Sequence, residues 1–137
     1  MERTLLIIKP DAVAAGKTGA ILARVENEGF AIIGMERRRL SCVEAETFYA
    51  IHKGKPFFES LLGFMMSGPV VVCALEKEQA VSRLRTVVGV TDPSRAAEGT
   101  IRRLYGSNVQ NNGVHASDSV ENGVAEVRFF FSERVLL

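Results

Sequence analysis

Cysteine is scarce in this chain. Cys42 and Cys73 are the only two, and the single bridge they could form is no disulfide scaffold. Two reduced thiols in a cytoplasmic protein are the reading that follows. Long apolar runs are missing as well. The longest, Pro69 to Leu75, is far short of the ~20 residues that a membrane-spanning helix needs. The opening Met1-Glu2-Arg3-Thr4 lacks a long apolar stretch followed by a small-residue cleavage site, so no signal peptide and no membrane attachment are expected. Excess charge of one sign is also absent. Lys and Arg number 17 against 16 Asp and Glu, a formal net charge of +1, and a protein that coats DNA or RNA is normally far more basic. Nucleic acid is therefore not an obligate partner, and any anion site must come from a local concentration of cations.

Several familiar motifs are lacking too. Gly16-Lys17-Thr18 resembles the tail of a phosphate-binding P-loop, but the upstream glycine that the motif needs is replaced by Asp11. No G-x-G-x-x-G, C-x-x-C, H-E-x-x-H or G-x-S-x-G is present. Those gaps weigh against a P-loop NTPase, a Rossmann dehydrogenase, a zinc site of these patterns and an α/β-hydrolase.

What remains is an ordinary globular composition: 137 residues, 47% hydrophobic and 24% charged. That length suits one compact domain, residues 1–137, and no internal repeat or linker interrupts it. Thr4 to Ile8 reads as a buried strand, stopped by Lys9-Pro10-Asp11 so that Lys9 is exposed at its end. Ile21, Leu22 and Val25 share a helix face, and Glu28-Gly29 closes that helix because glycine suits the left-handed position beyond a helix end. Phe30 to Leu40 reads as a second strand. Ser41-Cys42-Val43-Glu44 is a capping-box pattern, so a helix is expected to start there and run through Phe48 and Tyr49. Lys53 to Pro56 breaks it, and Phe57 to Met66 resumes a helical pattern. Val70 to Leu75 is too continuously apolar to have a wet face. Lys77 to Val88 reads as a helix, Gly89 to Gly99 as turns, Ile101 to Leu104 as a helical turn, and Ser107 to Ser119 as a long polar loop. Asp118 or Ser119 can cap a last helix carrying Val120, Val124, Val127 and Phe131. This alternation implies a single sheet with helices packed on it.

The long loop holds one of only two histidines, and loops of that length in compact domains tend to be functional or disordered. His115 stands among small and hydroxylated residues just before a helix start, where backbone N–H groups favour an anion. Arg85, Arg102 and Arg103, with Thr91 between them, are phosphate-type donors from the same stretch. A histidine among phosphate donors points to a nucleophile, since neutral imidazole can take up a phosphoryl group and pass it on. Its second ring nitrogen then needs an acceptor, and Glu121 and Glu126 are both candidates.

At this point the residues match a family. Glu2-Arg3-Thr4 with Lys9-Pro10-Asp11-Ala12-Val13, then Phe48-Tyr49, His52-Lys53 and Pro56-Phe57-Phe58, then Ser67-Gly68-Pro69-Val70-Val71, Gly99-Thr100-Ile101-Arg102 and Asn112-x-x-His115-Ala116-Ser117-Asp118-Ser119 together resemble a bacterial-type nucleoside diphosphate kinase almost end to end. The resemblance implies a ferredoxin-like βαββαβ fold, an α+β sandwich with an antiparallel sheet covered by helices. It implies transfer of the γ-phosphoryl of a nucleoside triphosphate, usually ATP, to a nucleoside diphosphate through a phosphohistidine. Mg²⁺ would ride on the nucleotide phosphates, without a metal site of the protein's own. Carried over by motif, His115 is the nucleophile, Glu126 orients its other nitrogen with Ser117 among the catalytic residues, and Lys9 and Tyr49 lie beside the phosphoryl group. Asn112 and Lys9 would contact the sugar, His52, Arg85, Thr91 and Arg102 the phosphates, and Phe57 the base with Leu61 and Val109 nearby. The resemblance also implies a homo-oligomer, tetramer or hexamer.

This chain departs from the family pattern in places. Ala116 replaces a glycine beside the histidine and would be strained if that position had positive φ. Arg103-Leu104 replaces a small residue and an aspartate, which puts the local helix start in question. Gly123 inside the last helix should cost about 1 kcal/mol relative to alanine. The sequence ends at Leu137, without the long C-terminal extension of some family members.

Overall fold

The computed structural model describes residues 1–136; the chain end at Leu137 lies outside the described residues. The strands are β1 (Glu2–Ile8), β2 (Ala31–Arg38), β3 (Val70–Lys77) and β4 (Val114–Ala116). The helices are α1 (Pro10–Ala14), α2 (Thr18–Asn27), α3 (Cys42–Phe48), α4 (Phe58–Met66), α5 (Ala80–Val88), α6 (Ile101–Tyr105) and α7 (Val120–Phe130). The strands form one four-stranded sheet in the order β2-β3-β1-β4, and every neighbouring pair is antiparallel. This is the βαββαβ arrangement that the resemblance implied.

Period-two alternation along the strands divides the core. Leu6 and Ile8 of β1 pack on one face against Ile21 and Val25 of α2 and Leu84 and Val88 of α5. Leu5 and Ile7 pack on the other against Leu61, Leu62 and Met65 of α4 and Val127 of α7. Because both faces are covered, Val70 to Leu75 is buried without a break, as its continuous apolar sequence required. The capping box at Ser41 forms in both directions: the Glu44 N–H donates to the Ser41 hydroxyl at 3.1 Å and the Ser41 N–H to the Glu44 carboxylate at 3.0 Å. Gly29 (φ +92) ends α2 as expected.

Several expectations need correction. Lys9, expected to be exposed at the end of β1, is buried, its ammonium held by the Asn112 side-chain oxygen at 2.8 Å. Pro10 both ends β1 and occupies the first position of the short helix α1, where its missing N–H and fixed φ cost nothing. Lys77 belongs to β3, and α5 begins only after Gln79, which sits in the left-handed region at φ +53. The polar loop contains a strand: β4 is three residues long, too short for any periodicity to stand out among its polar neighbours. Ser119 rather than Asp118 caps α7, its hydroxyl accepting the Asn122 N–H at 3.1 Å. Phe131 lies just past the helix in extended backbone and is buried, whereas Val120 and Val124 face outward.

The departures from the family pattern resolve as well. Ala116 lies in β4, and Gln79 is the sole non-glycine with positive φ among the described residues, so the methyl group brings no backbone strain. Thr100 caps α6 by accepting the Arg103 N–H at 3.3 Å, and the Arg103 guanidinium donates to the Ser94 carbonyl at 3.0 Å. The helix start therefore holds without the aspartate. Gly123 is buried where α7 crosses β1, and a Cβ there would lie 2.7 Å from the Arg3 carbonyl oxygen. The glycine is a packing requirement, not a helix defect. Gly123→Ala is expected to destabilise the protein by about 1–3 kcal/mol, despite alanine's better helix propensity. Urea unfolding of the two proteins checks this, and an alanine variant of equal or greater stability would show that the helix can move away.

Candidate active site

The chemistry gathers where β1 ends beside β4. His115 pairs with Ile7 across the β1–β4 ladder. Val114 and Ala116, its neighbours in β4, are buried in the core that contains α2 and α5. Alternation therefore sends His115 to the opposite face, where α3 and α7 pack. There its Nε2 lies 2.8 Å from a carboxylate oxygen of Glu126 on α7. The same oxygen accepts the Ser117 hydroxyl at 2.6 Å, and that hydroxyl accepts the Leu5 N–H at 3.1 Å. A carboxylate facing Nε2 selects the Nε2–H tautomer of the neutral ring. The lone pair is left on Nδ1. The acceptor is Glu126 and not Glu121, which does not line the cleft.

A cleft of about 660 Å³ opens in front of this ring. Lys9, Tyr49, His52, Phe57, Leu61 and Arg85 line it, as do Thr91, Arg102, Val109, Asn112, His115 and Glu126. The cleft thus brings together residues that the resemblance assigned to one site. Ser117 is fully buried behind the cleft and touches it only through Glu126. Arg103, read as one more phosphate donor, instead reaches the Ser94 carbonyl. Phe48, Ile51, Gln110, Asp118 and Asn122 also line the cleft, although neither the motifs nor the resemblance assigned them a role there. Asp118 and Asn122 stand four residues apart, and their side chains are hydrogen bonded at 2.6 Å, a spacing that could have flagged them.

The cations are fixed by uncharged oxygens. Lys9 donates from Nζ to the Asn112 side-chain oxygen at 2.8 Å, and Asn112 donates onward to the Thr91 carbonyl at 3.1 Å. Arg102 donates to the carbonyls of Gly89 and Val114, each at 3.0 Å, and Arg85 to that of Ala116 at 3.4 Å. Burial, reinforced by the nearby Arg102 charge and opposed by Asp11, pulls the Lys9 ammonium down to about 8. Burial, and then Arg85, pull Arg102 down to about 10. Each still carries its charge at neutral pH, although being charged there is costly. An anion in the cleft would relieve that cost, which makes the site electrostatically poised for phosphate. Tyr49 is buried with no partner for its hydroxyl, and its ionisation is pushed up by burial and then by Glu126; it is a neutral donor. The His52 Nδ1 is likewise buried without a partner, and burial, then Lys55, lower its proton affinity.

Comparison with known proteins agrees with this geometry. The family model for nucleoside diphosphate kinase matches residues 2–136. The chain belongs to the nucleoside diphosphate kinase family. It is 51% identical to the nucleoside diphosphate kinase of Syntrophotalea carbinolica over the whole of both chains. It is 52% identical to that of Sorangium cellulosum over 96% of this chain and 92% of the relative. Among solved structures, the Aquifex aeolicus nucleoside diphosphate kinase superposes with a TM-score of 0.96 at 42% identity, covering 99% of each chain. A Halobacterium salinarum nucleoside diphosphate kinase solved in complex with CDP also gives 0.96, at 37% identity over 99% of this chain and 91% of that one. Members of this family are phosphotransferases, and so is this chain.

The state of Lys9 leads to a measurable pH dependence. In the free protein its ammonium loses its proton near pH 8, and polyphosphate oxygens raise that value by favouring the charged form. ADP affinity is therefore expected to be level below pH 8 and to fall above it, by up to about tenfold per pH unit, with a proton taken up on binding. Titration calorimetry in buffers of different ionisation enthalpy measures that uptake. Lys9→Met should abolish it, and an uptake that survives the substitution would assign it to another group.

Proposed function

We propose that the chain transfers the γ-phosphoryl of a nucleoside triphosphate, usually ATP, to a nucleoside diphosphate in two half-reactions through phosphorylated His115. The observation that carries this reading is the Nε2···Glu126 contact of 2.8 Å, which leaves Nδ1 as the free nucleophile in a cleft lined by Lys9, Arg85 and Arg102. The Nδ1 lone pair attacks the γ-phosphorus. The nitrogen–phosphorus bond forms as the bond to the β,γ-bridging oxygen breaks, and the diphosphate leaves with that electron pair. The ring is then cationic, with its Nε2–H held by Glu126. In the second half-reaction, a terminal phosphate oxygen of the acceptor attacks the same phosphorus, and the electron pair returns to Nδ1. No net proton is released.

Phosphoryl transfer asks little of a protein beyond position and charge neutralisation. Lys9, Arg85, Arg102, Thr91 and His52 supply positive charge and donors to the phosphates, Tyr49 a neutral donor beside the phosphoryl group, and Asn112 with Lys9 contacts to the sugar. Phe57 and Val109 are exposed apolar side chains at the cleft, with Leu61 beneath them. Stacking on Phe57 uses the π face that every base has, so broad base tolerance follows.

Among the described residues no group of three or more His, Cys, Asp or Glu side chains is arranged to hold a metal. Glu126 is occupied by His115 and Ser117, leaving Asp118 as the other carboxylate lining the cleft. This donor set fits a Mg²⁺ that would arrive on the nucleotide phosphates, with Asp118 as the carboxylate available to help hold it. When bound, the ion would neutralise charge on the phosphate oxygens.

The reading extends to the rest of the protein. Residues 1–137 act as one kinase domain. No helix among the described residues is long and apolar enough to cross a membrane, and free thiols at Cys42 and Cys73 suit a cytoplasmic setting. The edge strand β2, with Met35 exposed on it, favours assembly of copies of this chain into a homo-oligomer.

Incubation with γ-labelled ATP and Mg²⁺, followed by a chase with a different nucleoside diphosphate, tests the mechanism. Label should enter the protein in an acid-labile, base-stable form and move to the acceptor. His115→Ala should abolish both steps, and a variant as active as the parent would refute the mechanism. Phe57→Ala should weaken binding of all nucleotides by about 1–3 kcal/mol. A loss confined to purines would mean that more than stacking reads the base.

A further inference from the structure

A single hydrogen bond does not immobilise a planar ring. The contact between Nε2 of His115 and Glu126 leaves the imidazole free to pivot about the nitrogen–oxygen line, and a pivot carries Nδ1 off the path to an incoming phosphorus. The ring has a second neighbour. Phe48, the last residue of α3, places its ring centroid 5.2 Å from that of His115, with 74° between the planes. This edge-to-face geometry is favourable for aromatic pairs.

Phe48 is itself braced. Its ring meets Tyr49 at 5.0 Å, Phe130 at 5.3 Å and Phe129 at 5.6 Å, all between centroids. Phe129 and Phe130 end α7, the helix that carries Glu126. The same helix thus restrains the imidazole twice, directly through Glu126 and indirectly through Phe48. Phe48 is half-buried, lines the cleft and offers no polar atom to a nucleotide.

We propose that Phe48 is a positioning residue for phosphoryl transfer: its ring, held by Phe129 and Phe130, stops the His115 imidazole from pivoting and keeps Nδ1 aimed into the cleft. The proposal rests on His115 being the nucleophile. Reactions of this kind are sensitive to small misplacements of the attacking atom. The aromatic wall also keeps water from that side of the ring, which strengthens the pairing of Glu126 with the positive imidazole formed in the transfer step.

The test uses Phe48→Leu, which keeps apolar volume but removes the ring, with Phe48→Met as the second variant should the first not fold. Three quantities are read: the single-turnover rate of phosphohistidine formation at saturating Mg·ATP, the equilibrium Kd for nucleotide, and the exchange of the His115 Nε2–H with water by NMR. The transfer rate should fall by about five- to tenfold and the Kd should change by less than about twofold. The Nε2–H should exchange faster than in the parent. An unchanged transfer rate overturns the proposal, and so does a loss confined to nucleotide binding with full rate at saturation. A parent protein that never takes up label refutes the His115 mechanism itself. A labelled parent matched in rate by Phe48→Leu refutes only the role of Phe48.

Discussion

The antiparallel seam between β1 and the three-residue strand β4 is the constraint on which the site depends. It pairs Ile7 with His115 and Ile8 with Val114. A slip of one residue would turn Val114 and Ala116 out of the core and bury the imidazole. Two apolar side chains thus lock the register that exposes one polar side chain. The seam is reinforced at both ends: the Lys9 N–H donates to the Gly113 carbonyl at 2.8 Å, and the Ser117 N–H to the Leu5 carbonyl at 3.2 Å. Those bonds bring Lys9 and Ser117 to either side of His115.

Around that seam the cleft is built to hold positive charge without neutralising it. Lys9 and Arg102 are buried yet bonded to carbonyl and amide oxygens rather than to carboxylates. Glu126 faces the histidine, and Asp118 is bonded to Asn122. Uncompensated buried charge is costly, and the depressed proton affinities of Lys9 and Arg102 express that cost. It is the structural form of a preference for a polyanion. Balance of charge over the whole chain conceals it, because the surplus is local.

Much of the architecture could be read from the residues. The continuous run Val70 to Leu75 announced a strand covered on both faces, and the Ser41–Glu44 pair announced the start of α3. What escaped was short or ambiguous. A three-residue strand in a polar loop offers one alternation, which is too little to distinguish from chance. Lys77 sits in β3 rather than α5 because pairing with Glu2 across the ladder outweighs its helical propensity. Gly123 looked like a defect and proved to be a fitted contact, since only the position of the Arg3 carbonyl reveals why a methyl group is excluded.

The site divides in the same way. Residue types and their spacing determined the nature of the chemistry: an imidazole near several cations, an aromatic at a helix break, and a set of spaced motifs tied to one family. These are local or compositional facts, and a linear chain carries them openly. Which carboxylate meets the imidazole, that Ser117 lies behind the cleft, and that Phe48 closes on the ring were decided by the packing of α3 and α7 on the sheet, and the turn of Arg103 to Ser94 by the packing of α6 on residues 93–95. Phe48 and His115 are far apart in the chain, and even for near neighbours in sequence, such as His115 and Glu126, the distance is set only once the backbone has closed on itself.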